Sequence, residues 1–157
     1  MLWGMGDLTE NDMARARRKL AGIGLTGPDV YLAELVPAVE MAWADGSVHP
    51  HERALLEAYC DHLVEHLNAL AGAPVFSGSR ARAVLGRLLE RRLKPHERQD
   101  ALLALKLRAG RTSHGMEMLR RSIEWAEAVA AVAGHPVWDS RELFWLQTML
   151  RTFEAEQ

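Results

Sequence analysis

The stretch AWADGSVHPHERALLEAYC, residues 42–60, places one short acidic turn between two segments that have a helical pattern of apolar residues. Apolar side chains recur at three- and four-residue steps before the turn and again after it, which is typical of amphipathic helices. They are Leu32, Leu35, Val39 and Trp43 on one side and Leu55, Leu56, Tyr59, Leu63 and Leu67 on the other. Pro50 suits the first position of the second helix, and Glu52 suits its first turn. The stretch therefore predicts two packed helices joined by residues 45–48.

The same turn carries side chains that could hold a divalent cation. Asp45 and Glu52 supply carboxylates, Ser47 and His49 could assist, and the flexible Gly46 lets backbone carbonyls point inward. Oxygen ligands suit hard cations, whereas histidine favours zinc or another transition metal, so the ion is not identified. The spacing is not that of an EF-hand. The alternative is that Asp45 accepts hydrogen bonds in the turn and that Glu52 meets the free N–H groups of the helix start.

The turn also resembles a known family. An alanine-rich helix end, the tripeptide Ala44-Asp45-Gly46 and a Pro-led helix carrying Glu52 and Leu56 are similar to the TerB-like (tellurite-resistance) family, over about a sixth of the chain. The resemblance implies a compact all-helical bacterial domain linked to metal-oxyanion stress or to membrane-associated stress complexes. It also implies that the acidic residues hold a divalent cation.

Composition favours a soluble helical protein. The chain has 157 residues, 48% hydrophobic and 25% charged, with few β-branched residues beside its Ala, Leu, Glu and Arg. That mixture favours helix. A single cysteine, Cys60, excludes an internal disulfide and fits a reducing compartment. No segment reads as a signal peptide or a membrane span, so we expect a cytoplasmic protein.

The helix signals along the chain predict an all-α fold of about seven helices in a single domain covering residues 1–157. The predicted starts and ends are Thr9 to Gly22, Pro28 to Ala44 with a kink at Pro37, Pro50 to Leu70, Ser79 to Leu93, Pro95 to Gly110, Thr112 or Ser113 to Ala133, and a last helix that opens at Asp139. The segment 71–79 resembles a linker, but neither half alone has enough helices to bury a full core.

A second helix pair echoes the first. Placing Glu142 on Glu52 aligns apolar positions of residues 112–153 with those of residues 28–70, which predicts an internal pseudo-repeat. His135-Pro136 then stands where Asp45-Gly46 stands in the first copy. The second copy would therefore lack the acidic turn.

Charge is segregated along the chain. Residues 29–66 carry eight acidic residues against Arg53 alone, whereas residues 80–98 carry seven basic residues against Glu90 and Glu97. Opposed charges of this kind could dock a protein partner, bind an anionic membrane surface or associate head to tail in a homodimer. Solvated helix faces would give the same pattern. Nucleic acid is not an expected partner, because the basic segment lacks interleaved aromatic residues.

Catalytic patterns are absent or better explained by structure. His62 to His66 spell H-x-x-E-H, but that zinc protease signature needs a much larger mixed fold. The two histidines fit the boundary of an amphipathic helix, with an opportunistic metal pair as the alternative. Cys60 lies on the apolar stripe beside acidic neighbours, as a core residue would. The tryptophans are predicted to wedge helices apart, and we expect no enzymatic activity.

Overall fold

The computed structural model describes residues 10–44, 46–109 and 113–133, together with positions 147, 148, 151 and 155. The helices are α1 (Glu10–Ala21), a 3₁₀ helix (Gly27–Leu35), α2 (Val36–Ala42), α3 (Pro50–Ala71), α4 (Gly78–Glu90), α5 (Pro95–Ala109) and α6 (Ser113–Ala133). These described residues contain no strand. The all-α prediction is confirmed.

Most helix boundaries follow the sequence signals. Pro50 and Pro95 each open a helix, and Gly72 ends α3 with a left-handed backbone at φ 70°. The predicted start of α4 was wrong by two residues, because Ser77 and not Ser79 is its cap. The Ser77 hydroxyl accepts the Arg80 N–H at 3.3 Å. The last predicted helix, including Asp139 and Glu142, lies outside the continuous described ranges, and with it the second copy of the pseudo-repeat.

The segment between Pro28 and Ala44 is the main correction to the predicted elements. It is not one kinked α-helix but a nine-residue 3₁₀ helix followed by the seven-residue α2. Pro37 stands in the first turn of α2, where its missing N–H is tolerated. Inside a longer helix it would remove the hydrogen bond to the Ala33 carbonyl, and its ring would clash there. The Val36 N–H bonds that carbonyl instead.

The short α2 lies at the centre of the molecule. All seven of its residues are buried, and it packs chiefly against α6, while α1 packs against α5 and α3 against α4. The buried apolar side chains of these helices form one continuous core. Trp43, just after α2, donates its indole N–H to the Leu88 carbonyl at 3.1 Å and so links α2 to α4.

The acidic and basic segments meet inside the fold. Arg82 binds Asp61 at 2.7 Å and Glu57 at 3.2 Å, which joins α4 to α3. Three further pairs between the segments are Arg80 with Asp29, and Arg92 and Arg98 with the buried Glu40. Arg91 pairs with Glu97 within the basic segment. Much of the segregated charge is therefore paired within the molecule. The two Arg82 pairs are exposed and add little stability, about 0–1 kcal/mol each.

Candidate functional site

A buried ionic cluster ties the 3₁₀ helix to α3 and α6. Glu34 is fully buried, and Arg121 donates two hydrogen bonds to its carboxylate, at 2.7 and 2.8 Å. The Tyr59 hydroxyl donates to the same carboxylate at 2.6 Å, and the Ser122 hydroxyl donates to the Glu34 backbone carbonyl at 2.8 Å. We call Glu34, Tyr59, Arg121 and Ser122 the Glu34 cluster. Its bidentate geometry is the strong form of a charge-assisted hydrogen bond.

The Glu34 cluster has the features of a structural device. The Tyr59 ring stacks on Trp125 with centroids 4.8 Å apart and planes 4° from parallel, which fixes the hydroxyl in place. Both carboxylate oxygens of Glu34 have donors, so the group is already committed within the protein. Sequence patterns did not single out Glu34, because one acid inside an apolar run looks like an exposed helix position.

Burial also raises the pKa values of two neighbouring side chains of α3, Tyr59 and Cys60. Burial, and then the charge of Glu34, raises the pKa of Tyr59 well above its ordinary value of 10.0. Burial, and then the charge of Asp61, raises the pKa of the Cys60 thiol from 9.0 to about 11. Cys60 is therefore a protonated core residue, as predicted from the apolar stripe.

These raised pKa values predict a loss of stability at alkaline pH. Above the unfolded-state pKa values the folded protein still holds protons that the unfolded chain has released, so the free energy of unfolding falls as pH rises. The fall due to Cys60 is expected between pH 9.0 and about 11, and the part due to Tyr59 begins near 10.0. Urea unfolding across this range measures it. Cys60→Ala should flatten the first part of the fall, and a slope identical to that of the wild type would contradict the assignment.

At the predicted cation site, Glu52 is the residue that the fold buries. It is 1% exposed, and its Oε1 accepts the His49 backbone N–H at 2.7 Å at the start of α3. Its other oxygen, Oε2, is buried and has no hydrogen-bond partner among the described residues. The capping alternative therefore accounts for one carboxylate oxygen and leaves the second one unexplained.

The other predicted ligands are placed differently. Ser47 and His49 are exposed, and Asp45 lies outside the described residues. Gly46 has a left-handed backbone at φ 94°, which suits glycine in this tight turn. Within the part of the chain that the structure describes, no three His, Cys, Asp or Glu side chains are grouped closely enough to hold a metal ion.

A repeated tetrapeptide gives an internal reference for Glu52. The letters PHER occur at residues 50–53 and again at 95–98, at the starts of α3 and α5. Glu97 accepts the Lys94 backbone N–H at 2.8 Å, as Glu52 accepts that of His49. The Lys94 hydrogen bond first, and then Arg91, lowers the pKa of Glu97. Arg91 also reaches the second oxygen of Glu97 at 3.4 Å, whereas no described residue donates to that of Glu52.

A cleft of about 340 Å³ adjoins the Glu34 cluster, because Arg121 belongs to both. It is lined by residues of the 3₁₀ helix, α3, α5 and α6: Tyr31, His66, Leu67, Leu70, Arg108, His114, Gly115, Met118 and Arg121. Arg108 lies 4.8 Å from the centre of the Tyr31 ring, and its Nη1 is buried without an acceptor among the described residues. Burial lowers the pKa of Arg108, and burial followed by the Arg121 charge lowers that of His66.

Gly115 allows the end of α5 to come close to the start of α6. A β-carbon at this position would overlap the Arg108 carbonyl oxygen and the Ala109 Cα. The absence of a side chain thus brings Arg108 and His114 to one cleft. A lone glycine within a helical pattern was the available sequence signal for this close packing. The repeated PHER was the signal for the Glu52–Glu97 comparison.

No family model matches this chain, and neither a curated protein nor a solved structure shows significant similarity to it. None of the described helices is long and apolar enough to cross a membrane.

Proposed function

We propose that this chain is a non-enzymatic, TerB-like module that binds a divalent cation at the turn between α2 and α3. Its setting would be the cytoplasm of a bacterium, in a response to tellurite or metal stress or in a membrane-linked stress complex. Asp45 and Glu52 would be the principal ligands, with Ser47 or His49 assisting. A protein partner would bind the cation-bound form. An anionic membrane surface or a second copy of this chain are the alternative partners.

The observation that supports this proposal is the buried Oε2 of Glu52, which has no hydrogen-bond partner in the described part of the chain. A buried polar atom without a partner costs about 1–3 kcal/mol, and more if it is charged. Glu97 avoids that cost through Arg91, although it stands in the same PHER context. A divalent cation would do for Glu52 what Arg91 does for Glu97, and oxygen ligands are those that calcium and magnesium prefer.

Thermal unfolding with and without ions tests the proposal. Wild type is melted with chelator and then with Ca²⁺, Mg²⁺, Mn²⁺ or Zn²⁺. At a hundred times its dissociation constant, one bound ion stabilises by about 2.7 kcal/mol, which corresponds to roughly 5–10 °C for a domain of this size. The shift should occur with one ion and be lost in Asp45→Ala and Glu52→Gln.

The matched control is Glu97→Gln. Glutamine keeps an acceptor for the N–H of the residue before each helix, which is His49 or Lys94. Both Gln variants therefore retain this cap, and only Glu52→Gln alters the proposed site. Glu97→Gln should keep the full ion response. Equal responses in wild type, Asp45→Ala and Glu52→Gln would refute binding at the turn. The alternative function, a metal-free interaction module, would then be favoured. Many of the charges that suggested this alternative are, however, paired within the chain.

A further inference from the structure

The cleft between α3, α5 and α6 has an unusual charge composition. Two arginines and two histidines, Arg108, Arg121, His66 and His114, contribute to its wall, and none of the described lining residues is a carboxylate. Arg121 is neutralised by Glu34 behind the wall. Arg108 has no carboxylate within salt-bridge distance among the described residues, so the cleft retains an uncompensated positive charge.

Arg108 is costly to the fold in this position. The residue is half-buried, but its Nη1 is out of contact with water and therefore needs an acceptor from elsewhere. The Tyr31 ring gives a cation–π contact, which offsets part of the cost but accepts no conventional hydrogen bond along the guanidinium plane. The buried Nη1 remains without an acceptor from any residue that the structure describes. An anion that reached Arg108 would supply both the missing acceptor and the missing charge.

The remaining walls define what else the ligand would carry. Leu67, Leu70 and Met118 give the cleft an apolar side, and Leu70 is 54% exposed at its rim. The volume of about 340 Å³ lies at the lower end of the range for small-molecule sites, which is about 300–1,000 Å³. Such a cleft suits one small ring or short chain, and not a long lipid tail.

We infer that this cleft binds a small organic anion, with a carboxylate or phosphate head on Arg108 and an apolar body against Leu67, Leu70 and Met118. This inference does not depend on the proposed cation site. Arginine is well suited to the task, because its planar fork matches both carboxylate and phosphate oxygens.

Binding of defined probes to the full chain tests the inference. Benzoate, phenyl phosphate, inorganic phosphate and uncharged benzyl alcohol are titrated by calorimetry in the presence of chelator, which removes any contribution of the turn. Amide shifts in ¹H–¹⁵N spectra locate the site. Benzoate or phenyl phosphate should bind saturably and shift amides around the cleft, more tightly than inorganic phosphate, while benzyl alcohol should not bind.

Two variants and one control complete the test. Arg108→Met should weaken binding at least about tenfold, the usual scale for losing a hydrogen bond to a charged group. It should unfold at no lower temperature than wild type, because a methionine there needs no acceptor. Leu70→Glu should weaken binding by repulsion from an exposed rim position, whereas Arg17→Met removes an exposed arginine of α1 and should leave affinity unchanged.

Each of the following results would contradict the inference or one part of it. No saturable binding of either organic anion, or equal binding by wild type and Arg108→Met, would overturn the inference. Tighter binding of inorganic phosphate than of both organic probes would overturn the assignment of an apolar body. Amide shifts confined to another face would place the anion elsewhere and would equally refute the cleft.

Discussion

Glu34→Gln is expected to lower the free energy of unfolding by about 3 kcal/mol, because it leaves Arg121 without its buried counter-charge. Breaking a buried ion pair from one side usually costs about 3–5 kcal/mol. The lower end applies here, since the Arg121 side chain is 13% exposed and keeps some contact with water. Glutamine can still accept the Tyr59 hydroxyl, so the loss isolates the charge. The midpoint should fall by roughly 6–12 °C.

Thermal and urea unfolding measure this effect against an exposed pair. Asp61→Asn breaks the Arg82 contact, in which the Asp61 side chain is 56% exposed, and should cost less than about 1 kcal/mol. The double variant Glu34→Gln with Arg121→Met should regain much of the loss, because no buried charge is then left alone in the Glu34 cluster. A loss for Glu34→Gln no larger than that for Asp61→Asn would contradict the assigned role.

Gly115→Ala is expected to destabilise the protein by about 3 kcal/mol, at the upper end of the usual cost of overpacking. Adding a methyl group to a packed site commonly costs less stability than this, because a neighbouring side chain can move aside. Here the new β-carbon would overlap backbone atoms of Arg108 and Ala109, so α5 and α6 themselves would have to separate. The same separation would widen the cleft.

Gly86→Ala is the matched control for this substitution. Gly86 also lies within a helix, α4, and a β-carbon there would meet no atom within 4 Å. Alanine should therefore stabilise the protein by up to about 1 kcal/mol, the usual gain in helix propensity over glycine. Unfolding midpoints of the two variants should move in opposite directions. A shift of the same sign and size in both would show that helix propensity, and not the α5–α6 contact, decides the outcome at Gly115.

Of the two candidate sites, the turn could be predicted from the sequence and the cleft could not. The turn was found because Asp45, Gly46 and Glu52 lie close together in the chain, and local chemistry of that kind is readable in one dimension. The cleft was missed because Tyr31, His66, Arg108 and Arg121 come from four separate helices. The histidine of the H-x-x-E-H string that was discounted, His66, proved to line that cleft. Its partner His62 is exposed.

The sequence by itself determined the all-α class and the local devices that start and stop the helices. Pro50, Pro95 and the apolar spacing of α3 act over one or two turns, so they need no knowledge of the rest of the chain. Only the tertiary structure decided that Glu34 is buried, that Arg108 Nη1 has no acceptor among the described residues and that α5 touches α6 at Gly115. Each of these depends on atoms brought together from distant parts of the chain, and the environment of a charge is set by all of its neighbours in space.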